Sequence, residues 1–267
     1  MNDEVLYQVD GPIATVTLNR PDHLNIMTTE LLEGVLAALE QAADDDGVRV
    51  VMLTGAGRAF SAGGDVRAMA GGQAGGVAGG SSASAGAGTL RRAMRSSQLL
   101  RDMPKITIAA VNGACAGAGL ALACACDLRY CADTAVFTTA FVSVGLSGDF
   151  GGTWTLPRIV GPAKARELYL LSERFGSEEA RQIGLVTRSF PGDAFMTAVM
   201  EVAGKLASAP PVALVAVKAN LNDSGWTSFS QHLDLEAERH IRCGLTDDAQ
   251  EAARAFIEKR TPVFRGH

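Results

Sequence analysis

Two glycine-rich turns, at residues 59–65 and 112–119, have the residue types and spacing best suited to chemistry. Each comes after an apolar stretch and before a run of small residues. If a helix begins at each turn, its first N–H groups are free and carry partial positive charge. Two such helix starts directed at one point would stabilise an oxyanion. Plain α/β packing also uses small residues at helix starts, so both interpretations stand at this point.

Other catalytic motifs are incomplete. Neither turn completes G-x-G-x-x-G, because Phe60 and Leu122 stand where the third glycine is required, and no lysine follows to form a phosphate-binding loop. Ser61 is one glycine short of a nucleophile elbow and is interpreted as a turn residue. The four histidines lack the spacing of metal ligands, so no metal is expected.

An α/β core must position the two turns. Runs of apolar and β-branched residues at 48–54 and 105–111, whose one charged residue each is Arg49 or Lys105, are typical of strands buried on both faces. Before them, a hairpin is predicted from residues 5–9 and 13–18. After them, one further strand is predicted at residues 127–139. Thr28 or Thr29 is predicted to cap the first helix.

Beyond about residue 160 the pattern is mainly helical, with a short extended segment at residues 185–190. Helices are predicted at residues 163–171, 177–183, 193–207, 211–222, 227–243 and 247–259. The Ala-, Gly- and Ser-rich residues 70–88 are interpreted as a surface loop.

Composition narrows the classes of partner and location. The 267 residues carry a net charge of −5 without a basic cluster, so no nucleic acid is expected. Five cysteines without a C-x-x-C pair indicate buried thiols in a reducing compartment. The uncharged residues 106–126 are nominally long enough to span a bilayer, but the Asn112-Gly113 turn favours a strand followed by a buried helix. No signal peptide is recognised at the acidic N-terminus, so the prediction is a cytoplasmic protein without a membrane partner.

Five motifs, in order along the chain, carry a resemblance to a known family. They are NRPxxLN at 19–25, GRAFSAGGDV at 57–66, AVNG at 110–113 leading to Gly119, GLSGDFGGTWTLP at 145–157 and KRxPxF at 259–264. Together they resemble the crotonase (enoyl-CoA hydratase/isomerase) superfamily, and within it the ring-1,2-epoxyphenylacetyl-CoA isomerase branch. The resemblance implies an α/β core of stacked ββα turns over residues 1–200. It also implies a C-terminal helical region, residues 201–267, used to form a homotrimer or a dimer of trimers.

The same resemblance implies an acyl-CoA thioester substrate, with coenzyme A as part of the substrate rather than a prosthetic group. It places the two oxyanion-hole donors at the backbone N–H groups of Ala62 and Ala118. The residues expected to contact coenzyme A are His23, Leu24, Asn25, Ala62, Gly63, Gly64, Asp65, Val66, Gly117 and Phe141.

One acid is left to move protons. The two glutamates of the family's hydratases would fall at Ala121 and Phe141, where neither side chain can do so. Asp149 matches the position at which the family's isomerases use an aspartate, although Ser147-Gly148 precedes it where those isomerases have Ile-Pro. Apolar neighbours (Phe141, Phe150 and Trp154) would make this carboxylate a better base if they line the pocket.

The sequence therefore favours an enoyl-CoA isomerase in which Asp149 shuttles the proton. Four alternatives stay open: Asp149 as a mere helix cap, residual hydratase activity, Asp149 as a nucleophile on acyl-CoA, and an acyl-CoA-binding protein without catalysis. Asp65 is interpreted as a helix cap and Asp127 as the structural start of a strand.

Overall fold

The computed structural model describes residues 3–71 and 82–267. Its larger sheet has six strands in the order β1-β2-β3-β5-β7-β10. β1 and β2 form the predicted antiparallel hairpin, and the other neighbours are parallel. The strands are β1 (Val5–Asp10), β2 (Ile13–Leu18), β3 (Val50–Gly55), β5 (Ile106–Val111), β7 (Leu128–Ala132) and β10 (Arg188–Phe190).

A second sheet runs beside the first in the order β4-β6-β8-β9. Its strands are β4 (Ala59–Ser61), β6 (Ala114–Ala116), β8 (Val136–Thr138) and β9 (Phe175–Gly176). Each repeat places one strand in the larger sheet and the next in the smaller one: β3 then β4, β5 then β6, β7 then β8. This is the predicted α/β core of stacked ββα turns with helices at its C-terminal end.

Helices cover both faces of the larger sheet. In chain order they are α1 (Thr29–Asp44), α2 (Val66–Ala70), α3 (Ala83–Ala93), α4 (Arg95–Asp102), α5 (Ala118–Ala125), α6 (Gly152–Val160), α7 (Pro162–Leu171), α8 (Ser177–Gln182), α9 (Phe195–Ala207), α10 (Pro211–Asp223), α11 (Phe229–Gly244) and α12 (Asp247–Glu258). Thr28 caps α1, as one of the two predicted caps, by accepting from Leu31 N. The main core joins α1, α4 and α5 to one face of the sheet, and α9 packs on the other face.

Two predicted segments differ from the structure. Residues 127–139 form two strands in different sheets, because the chain turns at 132–135, where Ala135 N donates to Ala132 O, and passes from β7 to β8. Of residues 70–88, predicted to be a loop, residues 72–81 lie outside the described part. Residues 83–88 are helical, because Ser82 caps α3 by accepting from Ala85 N and the alanines that follow favour a helix.

The predicted boundary at residue 200 falls inside α9. Phe195, Val199 and Ala203 of that helix are buried on the sheet, so α9 belongs to the core. Residues 106–126 form β5, β6 and α5 rather than one long helix. Among the described helices none is by itself both long and apolar enough to cross a membrane; α9 and α10 pass that test only as a pair, bent by 103°.

Candidate active site

The two glycine-rich turns lie side by side. β4 pairs in parallel with β6, which brings the ends of both strands to one edge of the smaller sheet. A Cβ added at Gly63, where φ is +90°, would lie 3.0 Å from Ala116 O, and one at Gly119 would lie 2.8 Å from Ser61 Cβ. Glycine is therefore required at both positions because the two turns touch. The oxyanion interpretation requires the two turns to lie this close together.

Hydrogen bonding decides which N–H groups of the turns are available. Ala62 N donates to Leu24 O at 2.9 Å, so this predicted donor is already used within the fold. Gly63 N donates to Ser61 Oγ at 3.1 Å. No described residue accepts from Gly64 N, and a Cβ at Gly64 would meet nothing within 4 Å. The free N–H of the first turn thus belongs to Gly64 rather than to Ala62.

The second turn keeps its predicted donor free. Ala118 is the first residue of α5, where no helical carbonyl is available to its N–H. The first N–H of this turn with an acceptor in the helix is that of Ala121, which donates to Gly117 O. Gly117 itself has φ of +51°, a conformation that favours glycine, and it directs the chain into the helix.

The loop at residues 19–27 packs against the first turn. Asn25 is fully buried; its amide donates to Ala56 O and Ala59 O, and Arg20 N donates to its Oδ1. The side-chain amide of Asn25 is therefore fully used in hydrogen bonds within the protein. It is not free to make the expected contact with coenzyme A. His23 is exposed, and Leu24 lies beside the turn through the bond from Ala62.

Asp149 sits in a turn, residues 148–152, between the short helix Val142–Val144 and α6. Gly148, Phe150 and Gly151 have φ values of +119°, +45° and +76°. Phe150 is the costly one, since a residue with a large side chain rarely adopts this conformation. Such a turn holds its carboxyl more firmly than an ordinary loop would.

Asp149 is half-buried, and one oxygen of its carboxyl, Oδ1, is buried without a hydrogen-bond partner. Burial alone raises the pKa of Asp149 to about 7, because removal from water disfavours the charged form. The helix-cap alternative has no support, since α6 has no side-chain cap and Asp149 only accepts from Gly152 N with its backbone carbonyl.

The aromatic neighbours of Asp149 divide into two groups. Phe150 and Phe141 are buried, and Phe141 Cζ would lie 3.8 Å from a Cβ at Gly117. Trp154, also predicted to line the pocket, stacks instead on Trp226 at 5.3 Å between ring centres. It does so because the side chain at position 154 leaves α6 on the face opposite Gly152. Sequence reasoning missed Tyr169, whose ring stacks on Phe141 at 6.2 Å.

Ala121 lies against the start of α6. A Cβ added at Gly152 would lie 2.9 Å from Ala121 Cβ, so α5 and α6 are in close contact at this point.

The other two aspartates have structural partners. Asp65 caps α2, since its Oδ1 accepts from Arg67 N at 3.0 Å and Ala68 N at 3.1 Å. Asp127 binds Lys218 Nζ at 2.8 Å and accepts from Thr107 N at 2.8 Å. Both predictions are confirmed.

The predicted free thiols are present, with Cys115, Cys124, Cys126 and Cys131 buried and Cys243 half-buried. Burial raises the pKa of the Cys124 thiol to about 11 and of Cys126 to about 12, which keeps both protonated. Within the described residues no three His, Cys, Asp or Glu side chains form a group that could hold a metal ion.

Comparison with known proteins gives one consistent family. The family model for enoyl-CoA hydratase/isomerase matches residues 8–267. The 1,2-epoxyphenylacetyl-CoA isomerase of Escherichia coli is 34% identical over 266 residues, covering 100% of both chains. The short-chain-enoyl-CoA hydratase of Clostridium acetobutylicum is 33% identical over 259 residues, covering 97% of this chain and 96% of its own. The crystal structure of an enoyl-CoA hydratase from Polaromonas sp. JS666 has a TM-score of 0.90 at 31% identity, covering 98% and 99% of the two chains.

Proposed function

Because the chain belongs to the enoyl-CoA hydratase/isomerase family, the crotonase superfamily, we propose that it is an enoyl-CoA isomerase with Asp149 as its base. The observation that supports the proposal is the buried, unpartnered carboxyl of Asp149 in a site that lacks both hydratase glutamates. Relatives with isomerase and hydratase names are equally similar, so similarity alone supports only the family.

The thioester carbonyl is placed between the N–H groups of Gly64 and Ala118. Both are free, and they lie on two turns that touch. As a proton leaves the carbon next to the thioester, negative charge grows on the carbonyl oxygen, and each such donor stabilises it by roughly 3–4 kcal/mol. Ala62 supports this hole indirectly, since its bond to Leu24 O fixes the loop beside the turn.

Asp149 is proposed to move a single proton in two steps. Its carboxylate takes the proton from C2 of a 3-enoyl-CoA, and the electron pair spreads over O1, C2 and C4 as a dienolate. The carboxylic acid so formed returns the proton to C4, which gives the conjugated 2-enoyl-CoA and restores the carboxylate. A pKa of about 7 suits both steps, because acid and base forms are then both accessible near neutral pH.

Coenzyme A is proposed to run past the loop at 23–25 and the first turn. His23 is exposed at its start, and Val66 lies exposed after the free N–H of Gly64. Gly117 and Phe141 would contact the acyl end, since they meet near the second turn. Asp65 contributes here as the cap that shapes the turn, and Asn25 as the residue that holds the loop.

A homotrimer, or a dimer of trimers, is proposed to form through the C-terminal helices. They expose large apolar side chains, with Leu221 at 71%, Phe229 at 79% and Phe256 at 87%. An apolar surface of this kind is typical of a contact between subunits. Light scattering after size exclusion would give the mass, and a monomer at micromolar concentration would contradict the proposal.

The Asp149→Asn variant tests the function. Native protein incubated with a 3-enoyl-CoA is expected to produce the absorbance of the conjugated 2-enoyl thioester, and the variant to lower kcat by about 10³-fold. Binding of the acyl-CoA, measured by calorimetry, is expected to be unchanged within about threefold, since the carboxamide keeps the shape of the side chain.

The matched control is Asp133→Asn, an aspartate in the turn between β7 and β8. This variant is expected to turn over like the native protein. Normal turnover by Asp149→Asn would contradict the assignment. If the native protein hydrates a 2-enoyl-CoA and Asp149→Asn does so at the same rate, the protein would instead be a hydratase.

A further inference from the structure

We propose that Tyr169 is a positioning residue for Asp149, whose hydroxyl donates a hydrogen bond to the carboxylate and thereby favours the charged form of the base. The inference rests on the proposed role of Asp149. It assigns a function to a residue of α7, outside every motif in the sequence. Three observations support it: the contacts of the hydroxyl, the stacked ring, and the unpartnered oxygen of Asp149.

The hydroxyl of Tyr169 lies against the turn that carries Asp149. A Cβ added at Gly152 would collide with Tyr169 Oη, and one at Gly148 would lie 3.7 Å from Tyr169 Cε1. The phenol therefore touches residues on both sides of Asp149. Glycine at position 152 leaves the space that the hydroxyl fills, so this glycine serves the side chain of α7 as well as the start of α6.

The ring of Tyr169 is fixed between two parts of the site. It stacks on Phe141 at 13° between ring planes, and Phe141 in turn lies beside Gly117 of the second turn. Gly152, which the hydroxyl touches, also lies against Ala121. Tyr169 thus places a polar group between positions 121 and 141, where the hydratases of the family carry their two acids.

The carboxyl of Asp149 has hydrogen-bonding capacity to spare, since its Oδ1 is buried without a partner. Tyr169 Oη stands against Gly152, three residues along the chain, and carries a phenolic hydrogen to donate. We infer that the bond forms when Asp149 ionises, with the hydroxyl as donor and the carboxylate as acceptor. The bond moves no proton, since the phenol keeps its hydrogen and the carboxylate its charge.

The surroundings keep Tyr169 a donor. Burial, then Cys124 of α5 and Asp149 itself, raise the pKa of Tyr169 above its usual range, so the phenol stays protonated wherever Asp149 titrates. Cys124 stays a neutral thiol in that range, since burial raises its pKa to about 11. Arg129 is the charged group that acts on Cys124 here, and it opposes the effect of burial without cancelling it.

Tyr169→Phe tests the inference, because it removes the hydroxyl and keeps the stacked ring. The carboxyl carbon of Asp149 is titrated by NMR in protein labelled with ¹³C-aspartate, and its signal is assigned by its loss in Asp149→Asn. We expect the midpoint to rise by about one pH unit in the variant, since a hydrogen bond to the charged form is lost. The acid limb of the kcat profile for 3-enoyl-CoA should move by the same amount.

Tyr130→Phe is the matched control. Tyr130 is likewise a tyrosine packed against a phenylalanine, Phe190, at 6.1 Å between ring centres, but it is buried in the core under α9. It should leave the Asp149 midpoint in place. Gly152→Ala provides a second variant, because its methyl group displaces the hydroxyl, and it should raise the midpoint in the same direction.

Three results are decisive. An unchanged midpoint in Tyr169→Phe and Gly152→Ala would overturn the inference. A lower kcat at every pH with the same midpoint would also overturn it, since Tyr169 would then only shape the pocket. The third result is a raised Asp149 midpoint in Tyr169→Phe, together with a native protein that does not isomerise 3-enoyl-CoA. It would support the coupling of Tyr169 to Asp149 and contradict only the proposed function.

Discussion

Asp127 and Asp149 show opposite uses of a buried carboxylate. Asp127, where α5 leads into β7, is met by the ammonium of Lys218 and by both the N–H and the hydroxyl of Thr107. Asp149 has a free oxygen and no ion pair. Oδ2 of the first carboxylate thus has three partners, and its ion pair joins α10 to the sheet.

The difference shows why only one of them is suited to proton transfer. Taking a carboxylate out of water is costly unless partners replace the water. At Asp127 an ammonium and two hydrogen-bond donors take the place of water. At Asp149 they do not, so the site stores an unfavourable charge that a substrate proton can relieve. Variants that alter the surroundings of one carboxylate or the other test this difference.

The largest expected effect on stability is at the satisfied site. Lys218 also donates to Leu100 O and Lys105 O, so Lys218→Met removes the charged partner of Asp127 together with two hydrogen bonds to backbone carbonyls. We expect the free energy of unfolding to fall by about 3–5 kcal/mol in urea titrations. The exposed Lys205→Met on α9 is the control and should change it by less than about 0.5 kcal/mol. A loss for Lys218→Met as small as that of the control would show that Asp127 is not held as described.

At Asp149, in contrast, we expect removal of the charge to increase the stability of the protein. The folded-state pKa of Asp149 is about 7, against about 3.9 for an unfolded chain, so the native state holds this proton more tightly. Its contribution to stability is therefore present at low pH and is lost as the pH rises from about 4 through 7. Asp149→Asn should be more stable than native by about 2 kcal/mol at pH 8, after allowance for solvent screening, and equal to it at pH 4. Asp127→Asn should lose stability at pH 8, and a loss for both variants would remove the contrast.

The same pKa sets the pH dependence of the reaction. Since the base must be ionised, kcat/KM for a 3-enoyl-CoA should rise about tenfold per pH unit below the midpoint and level off above about pH 7. Stopped-flow or plate absorbance over pH 5–9 measures it. A profile already level at pH 5 would mean that the working base is a solvated carboxylate and not Asp149 in its buried turn.

Much of the fold follows from the sequence because its signals are local. The buried strands, the hairpin, the Thr28 cap and most helix bounds rest on periodicity and capping that a short segment carries by itself. The division of residues 127–139 between two sheets could not be predicted from that segment. It depends on pairing with β6 and β5, which are distant in sequence.

The site divides in the same way. The two turns could be identified because close backbone contact demands glycine, which is visible in a sequence. The sequence could not show that the free N–H belongs to Gly64 rather than to Ala62. This depends on the hydrogen bond from Ala62 N to Leu24 O, some forty residues earlier in the chain. Tyr169 was equally hidden, because a tyrosine on a helix becomes significant only when the turn of Asp149 folds against it.

The smallest effect concerns an aspartate between the two extremes. Asp65 is satisfied by two backbone N–H groups rather than by an ion pair, so Asp65→Ala should cost only about 1 kcal/mol, and locally. Amide exchange in residues 66–70 should speed up about fivefold while the global unfolding midpoint stays in place, and Asp65→Asn, which can still cap, should exchange like the native protein. Because the cap also shapes the turn that carries Gly64 N, acyl-CoA binding should weaken in step with the exchange rate. Weaker binding in Asp65→Asn without faster exchange would instead mean that the carboxylate itself contacts the ligand, and Asp65 would then belong with Asp149 rather than with Asp127.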